Sequence, residues 1–330
     1  MRKLVLCHFV IATIAVTPVL TSCNKNDDEK VDVYVAGHSV HNGKPQIATL
    51  WKNGIAQYLS DNSSQARSVF VAGDDVYVAG SEYNGYNSVA TVWKNGIAQN
   101  LTDVNYSRAA SVFVSGNDVY VAGDGTNEHL VDVVAIVWKN GVAQYLSDRT
   151  RHSRAYSVYV YGGDVYVAGH ERTQHGFVAI VWKNGIAQNL TDGTCNACAY
   201  SVYVSGSDVY VCGYVCNIAT VWKNGIAQNL TTDLTGNPAY AMSVYVSGDK
   251  VHVAGYEHNG YTYVAAVWKN GIAHHLSNGD RTANATSVYV FGKDVYVAGN
   301  ERNIVVWKNG IEQNIYKFGG MAYSIFVKKQ

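Results

Sequence analysis

All seven tryptophans of this 330-residue chain stand in the same tetrapeptide, Trp-Lys-Asn-Gly. They are Trp51, Trp93, Trp138, Trp182, Trp222, Trp268 and Trp307, with gaps of 42, 45, 44, 40, 46 and 39 residues. Self-similarity at that period means an array of one supersecondary unit, because a unit so short cannot bury its apolar face alone. Each copy holds four short segments rich in Val, Ile and aromatic residues. In the fourth copy they are Ser157–Val160, Asp164–Ala168, Val178–Trp182 and Ile186–Leu190, bounded by Gly, Asn or Asp. That is strand composition punctuated by turn residues. Asn-Gly after Trp-Lys is a strong hairpin signal, since a type I′ turn needs positive φ at both central residues. It folds the third strand back on the fourth. A Gly-centred break such as Ser205-Gly206-Ser207-Asp208 does the same between the first and second. These two connections are nearly constant from copy to copy, whereas the other two vary in length and content.

Up-and-down four-stranded units stacked around an axis leave only short, protected edges. The tryptophan then serves as an apolar plate between neighbouring units, with Tyr and Val of the inner strands filling the same role nearer the axis. The strand count also predicts closure. The array begins on a second strand, Asp32–Ala36, and ends on a first strand, Ser324–Val327, with no unit of its own left to join. The expected fold is therefore all-β: a seven-bladed β-propeller of four-stranded antiparallel blades, closed by three N-terminal strands plus one C-terminal strand, over residues 31–330. Composition agrees. Only 15% of residues are charged, with 25 Tyr and 31 Gly beside 3 Pro, which suits many short strands and tight turns. Balanced charge, 25 Lys+Arg against 25 Asp+Glu, excludes binding of polyanions by bulk positive charge, so no nucleic-acid partner is expected. The repeat resembles β-propeller repeats across nearly the whole array. It carries no Gly-His…Trp-Asp pair, no sialidase box and no kelch double glycine, and is similar instead to Trp-Lys-Asn-Gly repeat lipoproteins of bacterial surfaces.

The first 22 residues read as a signal peptide, with Arg2 and Lys3 ahead of an apolar run from Leu4 to Leu20. Leu20-Thr21-Ser22-Cys23 resembles the lipobox of bacterial lipoproteins. The resemblance implies cleavage before Cys23, acylation of Cys23 with diacylglycerol and palmitate, and attachment to the outer membrane. Several acyl chains, at about 0.8 kcal/mol per buried methylene, anchor stably. Residues 23–30 then form the lipidated cysteine and a polar tether. Asn24-Lys25-Asn26-Asp27-Asp28-Glu29-Lys30 is similar to the acidic export signals of Bacteroidetes surface lipoproteins, which favours the cell surface over the periplasmic leaflet.

Aligning the first strands on their serine separates scaffold from variable positions. Two residues before it stands Ala in every copy: Ala66, Ala109, Ala155, Ala199, Ala241, Ala285 and Ala322. One residue earlier the copies carry Gln65, Arg108, Arg154, Cys198, Tyr240, Asn284 and Met321. The first strand is innermost, so these residues are expected to ring the channel mouth on the variable-loop face. The plain alternative is drift at an exposed loop end. Glu82, Glu171, Glu257 and Glu301, two residues past the second-strand glycine, are expected near Arg108 and Arg154, or in pairs between loops. The candidate ligand-binding residues are Arg108, Arg154, Tyr156, Glu171, Tyr200, Tyr240 and Glu257. His38, His41, His129, His152, His170, His175 and His258 read as solvated loop histidines.

Cys195, Cys198, Cys212 and Cys216 cluster in the fifth copy, while Cys7 leaves with the signal. An exported protein meets oxidising conditions, so two disulfides with cross-hairpin pairing are expected. The alternatives are a zinc site, which the spacing formally allows, and free thiols. No nucleophile elbow, P-loop, dinucleotide fingerprint or zincin motif occurs, and no catalytic residue, metal ligand or cofactor is assigned. The reading is a monomeric, membrane-anchored extracytoplasmic lipoprotein that binds glycan or protein through its variable-loop face. The competing readings are a structural or accessory subunit of an outer-membrane assembly, and a polysaccharide hydrolase or lyase using two glutamates from different blades.

Overall fold

The Asn-Gly pair of every Trp-Lys-Asn-Gly tetrapeptide closes a hairpin as its chemistry requires. The seven asparagines have φ of 50–52° and the following glycines 80–85°, the left-handed pair of a type I′ turn. The computed structural model describes residues 29–40, 45–101, 106–126, 132–148, 151–231, 236–316 and 319–330, with side chains omitted for 314–316. Cys7, Cys23, residues 24–28, His41 and His129 lie outside them. The described residues form seven four-stranded antiparallel sheets and no helix, a seven-bladed β-propeller. Strands are numbered one to four from the axis outwards within each blade. In blade four they are Ser153–Tyr161, Asp164–Arg172, Phe177–Lys183 and Ile186–Asn189. First strands of successive blades neighbour one another in a closed circle.

Blade one draws on both ends of the array. Its second, third and fourth strands are Val31–Ser39, Ile47–Lys52 and Ile55–Tyr58. Its first strand is Gly320–Lys329, paired antiparallel from Val31 opposite Lys329 to Ser39 opposite Gly320. The three-plus-one closure expected from the strand count is the closure observed.

Two devices hold the circle together. The first-strand serine accepts a hydrogen bond from a backbone N–H on the next blade's first strand, at 3.1–3.3 Å in all seven steps. Val112 N–H donates to Ser68 and Val202 N–H to Ser157, and Val69 N–H to Ser324 joins the two chain ends. Each such bond contributes about 1 kcal/mol net. The second device is apolar. Seven inter-blade cores each combine strands of one blade with the first strand and tryptophan of the next. Trp93 of blade two shares a core with Tyr34, Ala36 and Leu50 of blade one. Trp51 of blade one does the same with Tyr296 and Val306 of blade seven, so the closing interface is built like the others. The second-strand glycine makes room for the indole. A Cβ on Gly169 would collide with the Arg154 carbonyl oxygen and stand 2.8 Å from Trp182 Cζ3.

The constant-turn face is internally satisfied. In six blades the lysine after the tryptophan pairs at 2.7–2.9 Å with an aspartate opening the second strand. It also lies 5.3–5.4 Å from the ring centre of the tyrosine two residues beyond that aspartate. The turn asparagine donates to the same carboxylate, as Asn95 does to Asp75. The Lys94 hydrogen bond holds the Asp75 carboxyl below its ordinary pKa. Blade six departs, with Lys250 and His252 where the others carry Asp and Tyr, and the network is missing there.

Candidate functional site

A β-bulge sits immediately before the serine of every first strand. A bulge inserts an unpaired residue and re-aims a side chain. The inserted residue is Arg67, Ala110, Tyr156, Tyr200, Met242, Thr286 or Tyr323, so three blades share a tyrosine and the other four differ. Two residues earlier lies the position that varies in the alignment, and each such residue has a cross-strand partner directly after the second-strand glycine. The seven pairs are Met321–His38, Gln65–Ser81, Arg108–Asp124, Arg154–His170, Cys198–Tyr214, Tyr240–Tyr256 and Asn284–Asn300. No two are alike, so the variable end of the channel is asymmetric while its scaffold repeats.

Toward the constant-turn end the channel narrows to a ring of aromatic side chains. Phe70, Phe113, Tyr159, Tyr203, Tyr245, Tyr289 and Phe326 come one from each first strand, with neighbouring ring centres 4.7–5.2 Å apart around a closed circle. These residues were expected as plates between blades, a role the second-strand tyrosines take. The signal was an aromatic residue two positions after the serine in every copy. The variable pairs and bulged residues thus stand above an aromatic floor.

The mouth divides into a cationic and an aromatic half. Arg108 pairs with Asp124, and the two side chains are only 22% and 8% exposed. Burial pulls the Arg108 pKa down, but the Asp124 carboxylate outweighs it and the net shift is upward. Arg67 donates to Gln65 Oε1 and lies 5.2 Å from the Tyr323 ring centre. Burial, and then the charge of Arg108, lower its pKa. Arg154 has no ion pair or hydrogen bond among the described residues. The Nε atoms of all three arginines are buried without an acceptor. On the other side, Tyr156, Tyr200, Tyr214, Tyr240, Tyr256 and Tyr263 form a continuous arc of ring contacts at 5.1–5.9 Å.

The glutamates do not gather here. Side chains alternate faces along a strand, so Glu171 and Glu257, one residue past His170 and Tyr256, project to the opposite face. Glu171 pairs with Arg151 at 3.2 Å, Glu257 with His275 at 2.5 Å, and Glu82 accepts from Ser60 at 2.6 Å. The carboxylate beside the arginines is Asp124, which follows Gly123 directly and was missed because the parity was counted one residue off. His38 and His170 are buried strand residues rather than solvated loop ones. Burial, and then nearby positive charge, hold His38 down to about 4. Burial first, then His152 and the arginines, bring His170 down to about 3. Both imidazoles are neutral at physiological pH.

The four cysteines form one bridge, not two. Cys195 is joined to Cys216, with Cα atoms 5.6 Å apart, while Cys198 and Cys212 are free and buried. The bulge at Tyr200 is the reason. Counted back from the Val204–Val209 pair without it, Cys198 falls beside Val215 and Cys216. With it, Cys198 faces Tyr214. Its Sγ lies 3.4 Å from His170 Nδ1 in the mouth, whereas Cys212 belongs to the core between blades five and six. Burial pushes both thiols well above their ordinary pKa, so neither is a ready nucleophile. Among the described residues no three His, Cys, Asp or Glu are grouped to hold a metal. Reduction of Cys195–Cys216 releases a separation of 21 residues, worth about 3 kcal/mol on the chain-entropy model. The expected result is a lower melting temperature with dithiothreitol and in Cys195→Ser, by equal amounts. Equal melting with and without reductant would show that the bridge contributes nothing.

No protein-family model and no curated protein matches this sequence. Solved structures match at the level of fold. The β-propeller domain of the Trilobed protease from Pyrococcus furiosus is 10% identical with a TM-score of 0.57, covering 88% of this chain and 93% of that one. That domain has an open velcro topology, whereas here the C-terminal strand closes the ring. The acylaminoacyl peptidase of Pyrococcus horikoshii is 12% identical with a TM-score of 0.55, covering 87% of this chain and 51% of that one. A prolyl endopeptidase structure is 12% identical with a TM-score of 0.53, covering 91% and 50%. The chain spans about half the length of these two peptidases. At such identities the likeness concerns the propeller alone.

Proposed function

We propose that this chain is a membrane-anchored extracytoplasmic lipoprotein and acts as a binding module, taking a glycan or protein ligand at the variable-loop mouth of its channel. The observation that carries the reading is the contrast between the two faces. On the constant face, six blades present the same Asp, Lys, Asn and Tyr, already satisfied by one another. At the mouth, seven unlike residue pairs surround one axis on a rigid ring, and two arginines have no carboxylate. Sites placed on rigid elements keep their geometry without ordering a loop.

The accessory-subunit reading has one observation in its favour. Ile55, Ile97, Val142, Ile186, Ile226, Ile272 and Ile311, one per blade after the Asn-Gly turn, are 67–77% exposed. Each stands opposite the lysine of its own hairpin, so a charged group borders every one of them, which suits an apolar docking surface poorly. The hydrolase reading gains nothing from Glu171 and Glu257, which are paired locally on the far face of their strands.

The test is a screen of residues 31–330 against glycan and protein arrays, repeated with two triple variants. One changes Arg108, Arg154 and Tyr240 to Ala at the mouth, the other Lys94, Lys183 and Lys269 on the constant face. The expected result is binding lost in the first and kept in the second. The opposite pattern would move the site to the repetitive face, where weak contacts can add by multivalency. For the anchor, Cys23→Ala in the full chain is expected to abolish acylation and release the protein from the outer-membrane fraction. Unchanged fractionation would sink the lipoprotein reading.

A further inference from the structure

We propose that the channel mouth recognises an acidic saccharide, whose carboxylate or sulfate group is held by Arg67 and Arg154 while its sugar rings lie along the tyrosine arc. The inference rests on the reading of the mouth as the binding face and adds the chemical class of the ligand.

Charge points to the anion. Three guanidiniums, those of Arg67, Arg108 and Arg154, stand around one side of the mouth, and among the described residues Asp124 is the carboxylate that pairs with one of them. His38 and His170 add none, being neutral. A charge withdrawn from water is retained where something pairs with it. Arg108 has its partner. Arg67 reaches only the Gln65 amide oxygen, and Arg154 reaches no acceptor among the described residues. Guanidinium is a rigid fork of donors that matches a carboxylate or sulfate in two parallel bonds. The Arg67 fork is also held in place, over Tyr323 at 5.2 Å, as Arg108 is over Tyr156 at 5.8 Å. Preorganisation of that kind reduces the entropy lost on binding.

The aromatic half points to the sugar. Tyr156 touches the rings of both the cationic half and the arc, at 5.8 Å from Arg108 and 5.2 Å from Tyr200. The arc then continues without a break to Tyr263. Half-buried tyrosines offer rigid apolar area together with hydroxyl donors and acceptors. A pyranose presents the complement, C–H faces and hydroxyl edges. An extended nucleic acid needs a stripe of cations along its backbone, whereas these arginines are confined to three adjacent blades of a balanced chain. A polar cleft of about 670 Å³ on this face lies beside Asp132, Arg151, His152 and Arg172, with His152 paired with Asp132 and Arg151 with Glu171. Its remaining cation, Arg172, is exposed and feels the same Asp132 carboxylate, so it offers no buried guanidinium like those of Arg67 and Arg154.

The experiment is calorimetric titration of residues 31–330 with a short oligogalacturonate, its neutral methyl ester, a sulfated oligosaccharide and a polyglutamate peptide. These are repeated with Arg67→Gln/Arg154→Gln, with Arg154→Lys and with Tyr240→Leu. At least one acidic sugar is expected to bind about tenfold or more tighter than the neutral ester. The double variant should lose that advantage and leave the ester unchanged. Arg154→Lys keeps the charge but not the fork, and should weaken acidic sugars even if the double variant fails to melt cooperatively. The carboxylate and sulfate arms decide which anion is preferred. Absence of binding by both acidic sugars, or unchanged binding in the double variant, overturns the inference. So does polyglutamate binding as tightly with Tyr240→Leu silent, which would make the occupant an acidic peptide. Binding of a neutral ligand at the mouth that ignores both arginines would remove this inference and spare the binding-face reading. Loss of acidic-sugar binding in the Lys94, Lys183 and Lys269 variant alone would remove both.

Discussion

A chain ending at residue 320 is expected to lose cooperative folding. Removing 321–330 takes away the first strand of blade one, and with it every kind of contact that closes the ring. Ala322, Ile325 and Val327 leave the core between blades seven and one, where each is at most 3% exposed. Burying Ile or Val is worth about 1.5–3 kcal/mol per side chain. Phe326 leaves the axial ring, opening it between Phe70 and Tyr289. The links from Val69 N–H to Ser324 and from Ile325 N–H to Ser287 go, so the circle of serine bonds is cut on both sides of blade one. The strand Val31–Ser39 is left with an unpaired edge facing the channel, and such an edge invites pairing with another chain. These losses together approach the whole stability of an ordinary domain, about 5–15 kcal/mol. Calorimetry and size-exclusion chromatography of the truncated chain should show a broad or absent transition and aggregates. A monomer with an unchanged melting temperature would mean that closure does not hold this ring.

What the sequence made legible follows from how locally each feature is encoded. Asn53-Gly54 and its six counterparts specify a type I′ turn by themselves, and the Trp51 to Trp307 spacing counts the blades. The closure of blade one needed only arithmetic on strands. The bulge before Ser157 was not legible, because it occurs in all seven copies and leaves no irregularity in spacing. Missing one residue in a structure of period two reverses which side chains face each other. Hence Asp124 was overlooked and Cys198 was set beside Cys216, while the glutamates take the second of their two expected placements and pair with loop residues such as Arg151 and Ser60. Arg108, Arg154 and Tyr240 could be placed at the mouth because variation beside an invariant alanine is visible in the alignment. Tyr156 and Tyr200 at the bulged position were singled out as aromatic candidates, whereas Arg67, at the same position of blade two, was not.

The tryptophans test whether the blades cohere mainly through their apolar plates. Trp182 is completely buried and shares its core with Ala122, Ala135 and Leu146 of blade three. Trp182→Ala is expected to cost about 3–5 kcal/mol, from lost burial and the cavity left behind. In a chain of this size that lowers the melting temperature by about 5–8 °C. Ile186→Ser, four residues on, removes a side chain that is 76% exposed and should change stability by less than about 0.5 kcal/mol. The glycine facing the indole supplies the sharper comparison. Gly169→Ala forces a Cβ against both Trp182 and the Arg154 carbonyl, so it should destabilise by an overpacking mechanism, about 1–3 kcal/mol. The indole clash vanishes in the double variant Gly169→Ala/Trp182→Ala, while the backbone clash remains. The two losses should therefore add to less than their sum, as coupled neighbours do. Full additivity would mean that the indole and the glycine do not constrain each other. A loss below about 1 kcal/mol for Trp182→Ala, well under the usual range for a buried Trp, would shift the weight of the ring onto its serine bonds and axial aromatics.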